Sequence, residues 1–342
     1  MLEILTRRCL QAVPLLLVLS IVTFLAIQSL PGDPVDVMLG SAKRDIAADE
    51  LEEMRHELGI DRPLVEQYFR WLSNCVLKGD WGRSYKDGRA VTKIVEERLP
   101  ATFMLVGSAL LLAFSLGVAW GLAMVWLKQY PAGHLFEALL FSLAITLYSA
   151  PGFWVGFLAL AFVAKTNIHG GLPLLSVHAP GDNTTFLSGL FYALIPSTVL
   201  SLRRMAKVAL FVRTSVLDEL NRDYVVTALS KGLGQMTVLI KHVLRNGLSP
   251  VITLIGLSLP YLLGGSVLVE SVFGWPGMGS LVVDATFGRN YPVILGLVTM
   301  YGSIVIFSNL LADSLQIALD PRLRQAGDET ARSRAAESGG AF

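Results

Sequence analysis

The sequence predicts an all-α polytopic membrane protein with about six transmembrane helices. Of its 342 residues, 53% are hydrophobic and only 16% are charged. A soluble domain carries about 25% charged residues, so this composition is typical of a membrane protein. Apolar runs of about 20 residues, the length that crosses a bilayer, recur along the chain between polar segments.

Composition and motifs also exclude several classes of function. The net charge of +1, without a basic stripe carrying interleaved aromatic residues, argues against a nucleic-acid partner. The sequence contains no G-x-x-x-x-G-K-[ST], G-x-S-x-G or H-E-x-x-H motif, and its five histidines lack metal-ligand spacing. Cys9 and Cys75 are predicted at opposite membrane faces, so we expect no disulfide. We therefore expect no catalytic residue, metal site or cofactor on this chain.

Residues 1–8 are predicted to form a short cytoplasmic N-terminus, and residues 9–30 the first transmembrane helix. The N-terminus ends in Arg7 and Arg8, and basic residues mark the cytoplasmic end of a span. A cleaved signal peptide is the alternative, but the apolar run is longer than a signal core and no clear cleavage pattern follows it. We therefore predict an uncleaved first span.

Residues 31–100 are predicted to form a sizeable extracytoplasmic segment. The segment begins with Pro-Gly-Asp-Pro, in which Asp33 is the acidic member, and this cluster ends the first span abruptly. The remainder is polar, carries both signs of charge and predicts two short helices, at 49–58 and 64–77. A solvated lid without ligand contacts is an equally open interpretation of the segment.

Five further spans complete the predicted transmembrane core, residues 101–320. We place them at Thr102–Trp126, Leu135–Ala164, Leu187–Leu210, Leu248–Val269 and Val293–Ala318. The second of these is long for one helix, and Pro151-Gly152 is predicted to bend it. Six spans put both termini on one side, and the basic connecting residues, Arg203, Arg204 and Lys207 among them, are counted on the cytoplasmic side. Residues 321–342 predict a disordered cytoplasmic tail.

Charged and small residues within the spans give two further expectations. Glu137, Lys165, Glu270 and Asp313 lie near predicted helix ends, where the side chain can reach the interface. No acidic or histidine relay is visible in mid-span, which argues against a proton- or sodium-driven carrier. Close helix packing is predicted at five glycines: Gly107, Gly117, Gly121, Gly152 and Gly156.

A cationic interruption lies between the fourth and fifth spans, within residues 213–247. Tyr224 and Ala228 fall near helical spacing and predict a short amphipathic helix, which Gly232 then ends. Lys231 and Leu233 flank that glycine. A short helix followed by a glycine turn is suited to receive a cytoplasmic partner, although an ordinary basic loop that only sets topology is the alternative.

Two more motifs follow the fifth span. In the sequence ESVFGWPGMGSLVVDATFGRNYPV, the residues Trp275, Pro276 and Gly277 force a turn, and residues 281–287 are amphipathic enough to lie at the membrane interface. The sequence NLLADSLQIALDPRLR, which contains Asp313, closes the last span.

These motifs resemble those of ATP-binding-cassette importer permeases of the dipeptide, oligopeptide and nickel branch. The resemblance is carried by TALSKGLG…NGLSP, by GDWGRSY, by the Trp-Pro-Gly motif and by the closing motif, and it runs from about residue 8 to residue 324. Two departures stand out. Val226 and Leu229 occupy positions that are usually basic in that branch, and Asn290 replaces an aspartate.

The resemblance implies a permease subunit that forms half of a translocation pathway and has no ATPase site of its own. Its implied partners are a second homologous permease, two ATPase subunits that bind ATP and Mg, an extracytoplasmic solute-binding protein and membrane lipid. The implied location is the plasma (inner) membrane of a bacterium or archaeon, with both termini cytoplasmic. Importing di- or oligopeptides is the first expectation; a nickel-chelate, opine or other small-solute importer, an exporter and a self-sufficient secondary carrier are the alternatives.

The resemblance also assigns roles to particular residues. Contact with the ATPase is expected at Tyr224, Ala228, Lys231, Gly232 and Leu233, on a cytoplasmic coupling helix between the fourth and fifth spans. Structural roles in the shared motifs are expected for Asp33, Trp275, Pro276, Gly277 and Asp313.

Overall fold

The computed structural model describes residues 2–29, 48–59, 61–168 and 186–319, together with residues 35 and 39. Within these ranges every extended regular element is a helix, and an isolated β-bridge joins Arg83 to Ala90. The predicted all-α class is confirmed. The helices are α1 Leu2–Gln28, α2 Ala48–Leu58, α3 Leu64–Lys78, α4 Val91–Lys128, α5 His134–Ser149, α6 Gly152–Ile168, α7 Phe186–Leu220, α8 Asp223–Ser230, α9 Gln235–Val238, α10 Leu244–Gly247, α11 Ser249–Phe273, α12 Met278–Phe287 and α13 Tyr291–Leu319. A 3₁₀ turn, Pro131–Gly133, precedes α5, and a π-helical turn, Leu239–Val243, joins α9 to α10.

Five stretches among the described residues are long and apolar enough to cross a membrane: Leu10–Gln28, Val91–Lys128, Pro131–Ser149, Leu254–Phe273 and Tyr291–Ala312. Each of them overlaps one predicted span: the first, second, third, fifth and sixth in turn. The predicted fourth span falls in α7, which is not among the five stretches found in the described residues. The polytopic class therefore stands, whereas the count of six spans remains a prediction.

The predicted third span is two helices rather than one bent helix. Ala150 adopts an extended conformation, with φ −66° and ψ 136°, between α5 and α6. The residue before a proline is pushed out of the helical region by the pyrrolidine ring, and Pro151 has no N–H to continue the helical hydrogen bonds. The last bond of α5 runs from Ala150 N to Thr146 O (3.0 Å), and the next helix begins with Val155 N to Pro151 O (3.2 Å). An interruption therefore replaces the predicted bend.

The most extensive helix–helix contact among the described residues is that between α4 and α7. A Cβ atom added at Gly117 would lie 2.9 Å from the carbonyl oxygen of Met205, and one at Gly121 would lie 2.7 Å from that of Ala209. Because any side chain would force these backbones apart, the two glycines set the distance between the helices. The prediction is confirmed at these positions, but it is wrong at Gly107 and Gly152, whose added Cβ atoms meet nothing within 4 Å.

Other helices pack on this pair and on one another. Helix α11 contacts α4, α7 and α13, α1 packs on α13, and α12 contacts α11, α13 and α4. Many large apolar side chains on the outside of the bundle are exposed, for example Leu111 at 73% and Leu139 at 59%. Such a surface fits hydrocarbon rather than water.

A small layer covers one end of the bundle, which we call the α3 end. The Tyr68 hydroxyl on α3 lies 2.8 Å from Ser20 Oγ on α1, and the Tyr68 ring meets the Phe24 ring edge-on at 5.5 Å. Helix α8 lies at the opposite end, the α8 end. The bundle thus has one end built from the predicted extracytoplasmic segment and another built from the predicted coupling segment.

Candidate functional site

Helix α8 is attached firmly to the bundle by its inward face. Val225 is 4% exposed and packs in an apolar cluster with Val212 and Val243. The Tyr224 hydroxyl donates to Glu219 Oε2 (2.7 Å) and accepts from Asn246 Nδ2 (3.4 Å), which links α8 to α7 and α10. Burial, together with this bond to a carboxylate, raises the pKa of the Tyr224 phenol above its ordinary value. Hydrogen bonds and apolar contacts therefore join α8 to α7 and α10.

A tight turn ends α8. Gly232 has φ +82°, a left-handed conformation that side chains with a Cβ rarely adopt. The turn is closed by Gly232 N to Leu229 O (2.9 Å) and by Leu233 N to Ala228 O (3.3 Å). Glycine at this position allows the chain to reverse and begin α9.

The outer face of this helix-turn-helix is apolar and exposed. Its large side chains are exposed by 41% to 63% and are spaced by three and four residues: Val226, Leu229, Leu233, Met236 and Ile240. We call this set the α8 patch. An apolar surface at the end of a bundle, set among exposed polar residues, is typical of a protein–protein contact.

The five residues predicted to contact an ATPase divide into two groups. Lys231, Gly232 and Leu233 are exposed, whereas Tyr224 and Ala228 are half-buried and pack inward. Tyr224 and Ala228 are therefore placed to position α8 rather than to contact a partner directly. Sequence analysis did not include Met236 and Ile240 among the contact residues; their spacing relative to Val226 and Leu233 was the available signal.

A second constellation lies where α11 meets α12. Glu270 is fully buried, and its carboxylate accepts hydrogen bonds from Thr102 Oγ1 (3.0 Å), Gly279 N (2.6 Å) and Ser280 N (3.2 Å). The two backbone donors belong to the first turn of α12, where N–H groups lack helical partners. A carboxylate there also interacts favourably with the helix dipole. Glu270 thus caps α12 from the preceding helix.

The Trp-Pro-Gly motif forms the turn that brings α12 onto this carboxylate. Trp275 is 3% exposed, and its indole Nε1 donates to Ala101 O (2.9 Å) on α4. Pro276 follows it in the turn between α11 and α12. A Cβ atom at Gly277 would overlap the Glu270 carboxylate and would lie 2.6 Å from Thr102 Oγ1. Asp33 lies outside the described residues, and Asp313 lies in α13 with its side chain outside the described part.

Two sequence expectations about charged residues were wrong. Glu270 does not extend toward an interface, because the turn after Phe273 folds α12 back over the end of α11. Glu137 is likewise buried, at 9% exposure, and forms an ion pair with Arg213 on α7, with Arg213 Nε 2.6 Å from Glu137 Oε1. Both are contacts between distant parts of the chain, which no local pattern reveals.

A third contact joins two of the sequence motifs. Asn290 is 8% exposed; its Oδ1 accepts from Tyr85 N (3.0 Å) and its Nδ2 donates to Ser84 Oγ (2.9 Å). Ser84 and Tyr85 belong to GDWGRSY, and Asn290 belongs to RNYPV. The Tyr85 and Tyr291 rings also meet edge-on at 6.3 Å. The α3 end is therefore held to the start of α13 by residues of both motifs.

Among the described residues, no group of three or more His, Cys, Asp or Glu side chains could hold a metal ion. The most prominent exposed apolar surface in this part of the chain is the α8 patch, on a helix whose inward face packs on the bundle.

Two family models match nearly the whole chain. The model of the binding-protein-dependent transport system inner membrane component matches residues 114–325. The model of the N-terminal part of the binding-protein-dependent transport system membrane component matches residues 1–106. Both ends of the gap between the two matches fall within α4, a single continuous helix.

Individual relatives match along their full length. The chain is 36% identical over 318 residues to an oligopeptide transport system permease protein of Bacillus subtilis, covering 93% of this chain and 98% of the relative. It is 32% identical over 343 residues to a dipeptide transport system permease protein of Escherichia coli, covering 95% and 99%. A glutathione transport system permease protein of Pectobacterium atrosepticum is 36% identical over 325 residues, with 95% and 99% covered.

Proposed function

Because the chain belongs to the family of inner membrane components of binding-protein-dependent transport systems, we propose that it forms half of a translocation pathway for di- or oligopeptides. The observation that carries this proposal is the full-length similarity to permeases named for oligopeptide, dipeptide and glutathione transport. All three named solutes contain amino acids linked by amide bonds. The chain is a permease subunit of an importer; the class of solute and the detailed assembly are proposed.

The proposed assembly contains this chain, a second homologous permease, two ATPase subunits and an extracytoplasmic solute-binding protein. ATP and Mg bind to the ATPase subunits. The α8 end faces the cytoplasm and the α3 end faces the solute-binding protein, so both termini are cytoplasmic. This orientation is supported by the basic residues near α8 and by the polar, mixed-charge segment at the α3 end.

In this proposal the α8 patch is the surface on which an ATPase subunit presses. Closure of the ATPase dimer around ATP moves α8, and the buried Val225 and the Tyr224–Glu219 hydrogen bond carry that movement into α7. Helix α7 in turn packs tightly on α4 through Gly117 and Gly121. Displacement of this central pair switches the pathway between outward-open and inward-open states.

The position of Gly232 gives the sharpest test of coupling. We expect Gly232→Val to reduce peptide uptake at least tenfold while the subunit is still produced and inserted. A side chain at φ +82° costs about 1–2 kcal/mol and distorts the turn at the centre of the α8 patch. Uptake of a labelled dipeptide and peptide-stimulated ATP hydrolysis would be measured in the reconstituted complex.

Gly79 offers a matched control, because it also has a positive φ, +64°, and its added Cβ meets nothing within 4 Å. Gly79→Val introduces the same kind of strain at the opposite end of the bundle and should leave the amount of co-purifying ATPase within twofold of wild type, whereas Gly232→Val should lower it. Equal ATPase recovery in the two variants, or wild-type uptake in Gly232→Val, would contradict the proposed role of the turn.

The assembly itself is tested by affinity purification of the tagged chain from detergent-solubilised native membranes. We expect an ATPase with a phosphate-binding loop and a second permease to co-purify. A chain that purifies alone and transports peptide in ATP-free proteoliposomes would instead be a secondary carrier.

A further inference from the structure

A group of basic residues lies in the middle of α7, beside two tyrosines of neighbouring helices. Arg203, Arg204 and Lys207 from α7, with Tyr148 from α5 and Tyr261 from α11, line an open recess of about 70 Å³, in which Arg204 is buried and the other four side chains are exposed. The space is sufficient for a carboxylate group or a few water molecules. We call these five residues the basic cluster.

The basic cluster lies at the midpoint of the helices that form it. Arg203 is the eighteenth of the 35 residues of α7, and Tyr261 is the thirteenth of the 25 residues of α11. Tyr148 precedes the interruption at Pro151 that divides the third predicted span in half. Sequence analysis counted the arginines with the cytoplasmic connecting segments, but the structure places them at mid-helix. Non-helical backbone and charge at membrane depth are tolerated where they line a cavity.

The three cations of the basic cluster lack anionic partners in the described part of the chain. No ion pair joins Arg203, Arg204 or Lys207 to a carboxylate among those residues. In contrast, Arg213 on the same helix is paired with Glu137. Arg204 is buried, whereas Arg203 and Lys207 beside it are exposed. Like charges this close repel one another, and an anion held between them would relieve that repulsion.

Arg204 shows most clearly that these cations lack polar partners within the described ranges. Its side chain is only 6% exposed, its guanidinium lies 4.2 Å from the centre of the Tyr261 ring, and its buried Nε has no hydrogen-bond partner among the described residues. A buried N–H without an acceptor costs about 1–3 kcal/mol. The geometry is that of a guanidinium held in place by an aromatic face, with donor capacity left for a ligand.

A larger groove of about 400 Å³ continues from the basic cluster toward the α8 end. The two cavities share Tyr148 and Lys207, and the groove then follows Phe211, Thr214 and Asp218 along one face of α7. These α7 positions recur every three to four residues, which is the repeat of one helical face. A solute leaving the basic cluster therefore has a continuous route along α7.

We propose that the basic cluster is an anion-binding station in the translocation pathway, and that the imported solute is a small peptide with net negative charge. This inference rests on the proposed function and adds the charge of the cargo. The guanidinium groups of Arg203 and Arg204 bind a solute carboxylate, while Lys207 attracts it as a point charge. Asp218, near the end of the groove, repels the same solute and so favours its release.

An anionic lipid headgroup offers the same chemistry as a solute carboxylate. The mid-helix position of the cluster argues against a headgroup, because headgroups lie at the ends of membrane-spanning helices. The experiments below therefore include a lipid arm.

The first experiment measures uptake by the complete transporter with its binding protein, using three labelled dipeptides: glutamyl-glutamate, its neutral counterpart glutaminyl-glutamine, and lysyl-lysine. We expect the wild type to prefer glutamyl-glutamate. Arg204→Gln and Lys207→Gln should each lower the maximal rate for glutamyl-glutamate about tenfold and that for glutaminyl-glutamine less than twofold. Arg204→Lys should restore part of the rate. Lys165→Gln, which removes an exposed charge from α6, should change neither.

The second experiment needs no solute and probes the groove directly. In a cysteine-free background, Ser215→Cys places a thiol in the groove, and its reaction rates with an anionic and a cationic methanethiosulfonate reagent are compared. The ratio of anionic to cationic rate should fall at least fivefold in Lys207→Gln and in Arg203→Gln, and should not change in Lys165→Gln. The measurement is made in nanodiscs of phosphatidylcholine alone and with phosphatidylglycerol.

The outcomes distinguish failure of the anion-binding station from failure of the proposed peptide transport. A ratio that is insensitive to Lys207→Gln, or an equal loss of acidic and neutral peptide uptake in Arg204→Gln, overturns the anion-binding station. A high ratio in phosphatidylcholine that is abolished by phosphatidylglycerol indicates a lipid site and also overturns it. If no dipeptide is taken up but the ratio falls as expected, the peptide assignment under the proposed function fails while the anion-binding station stands.

Discussion

At the level of single residues, the carboxylate of Glu270 joins α11 to the distant helix α4 and to the start of the next helix, α12. It accepts from Thr102 on α4 and from the backbone of Gly279 and Ser280 at the start of α12, all away from water. The Trp275 indole adds a further bond to α4. A buried carboxylate with several donors is stabilising as a network, and removal of the acceptor leaves every donor unpaired.

We expect Glu270→Ala to destabilise the subunit strongly. It leaves the Gly279 and Ser280 N–H groups and the Thr102 hydroxyl without their acceptor, at about 1–3 kcal/mol for each donor that stays unpaired. The thermal unfolding midpoint in detergent, followed by size-exclusion fluorescence, should fall by several degrees. Glu270→Gln retains one oxygen acceptor and should lose less. An unfolding midpoint in Glu270→Ala equal to that of wild type would contradict the capping role.

Residue-level prediction from the sequence succeeded where the signal was local. Trp275, Pro276 and Gly277 indicated a turn because aromatic, proline and glycine residues have strong conformational preferences in short segments. The burial of Glu270 was missed because it depends on α12 folding back over α11. Gly117 was predicted correctly as a packing residue and Gly107 incorrectly, although both are glycines on α4; the helix face toward α7 decides between them.

At the level of elements, the α8 patch is the surface that the proposed function assigns to an ATPase subunit. Its side chains are exposed and are not part of the buried cluster that holds Val225, so they are available to a partner without unfolding α8. The departures at Val226 and Leu229, which are usually basic in the branch that the sequence resembles, make this surface more apolar. Apolar burial, rather than ion pairing, is then expected to dominate the contact.

We expect Val226→Asp to reduce the amount of ATPase that co-purifies with the permease at least tenfold. A carboxylate in the middle of an apolar contact is desolvated without a partner, which costs several kcal/mol. Because Val226 is 60% exposed, the folded permease itself should keep its stability. Val65→Asp is the matched control: Val65 is 67% exposed on α3, and its replacement should leave co-purification unchanged. Normal ATPase recovery with Val226→Asp would place the contact elsewhere.

Element prediction from the sequence was accurate for position and poor for orientation. The short helix around Tyr224 and Ala228 is present as α8, and Gly232 does end it. The inward direction of Tyr224 was not predictable, because it follows from the hydrogen bond with Glu219 and the contact with Asn246. Pro151 was correctly singled out, but whether a proline bends or divides a helix depends on how the neighbouring helices accommodate the interruption.

At the level of the whole molecule, α7 explains why hydropathy alone was insufficient. Its midpoint carries Arg203, Arg204 and Lys207, although it packs along the length of α4. The rings of Tyr148 and Tyr261 lie beside the guanidinium groups of Arg203 and Arg204. Composition gave the class of the protein, but the charges in its centre acquire a role only through the neighbouring helices.

A network of polar side chains holds the α3 end to the bundle, and hydropathy does not reveal it. Interaction with the Ser84 hydroxyl holds the pKa of the Asp87 carboxyl below its usual range. Ser84 Oγ accepts from Asn290 Nδ2, while Asn290 Oδ1 accepts from Tyr85 N. Position 290 therefore supplies a donor as well as an acceptor, whereas an ionised aspartate would supply acceptors only. This difference gives a physical reason for asparagine where the resembling family usually has aspartate.

We expect cleavage of the 82–90 loop by trypsin to report this network, because Arg83, Lys86 and Arg89 are exposed within it. In spheroplasts, where the outer face of the membrane is accessible, cleavage should be slowest in wild type, faster in Asn290→Asp and fastest in Asn290→Ala. Asn290→Asp keeps the acceptor for Tyr85 but loses the donor to Ser84, whereas Asn290→Ala loses both. Each lost buried bond, at about 1 kcal/mol, raises the population of the open loop about fivefold. Cleavage of Asn290→Asp as slow as in wild type would show that the Ser84 donor is not required.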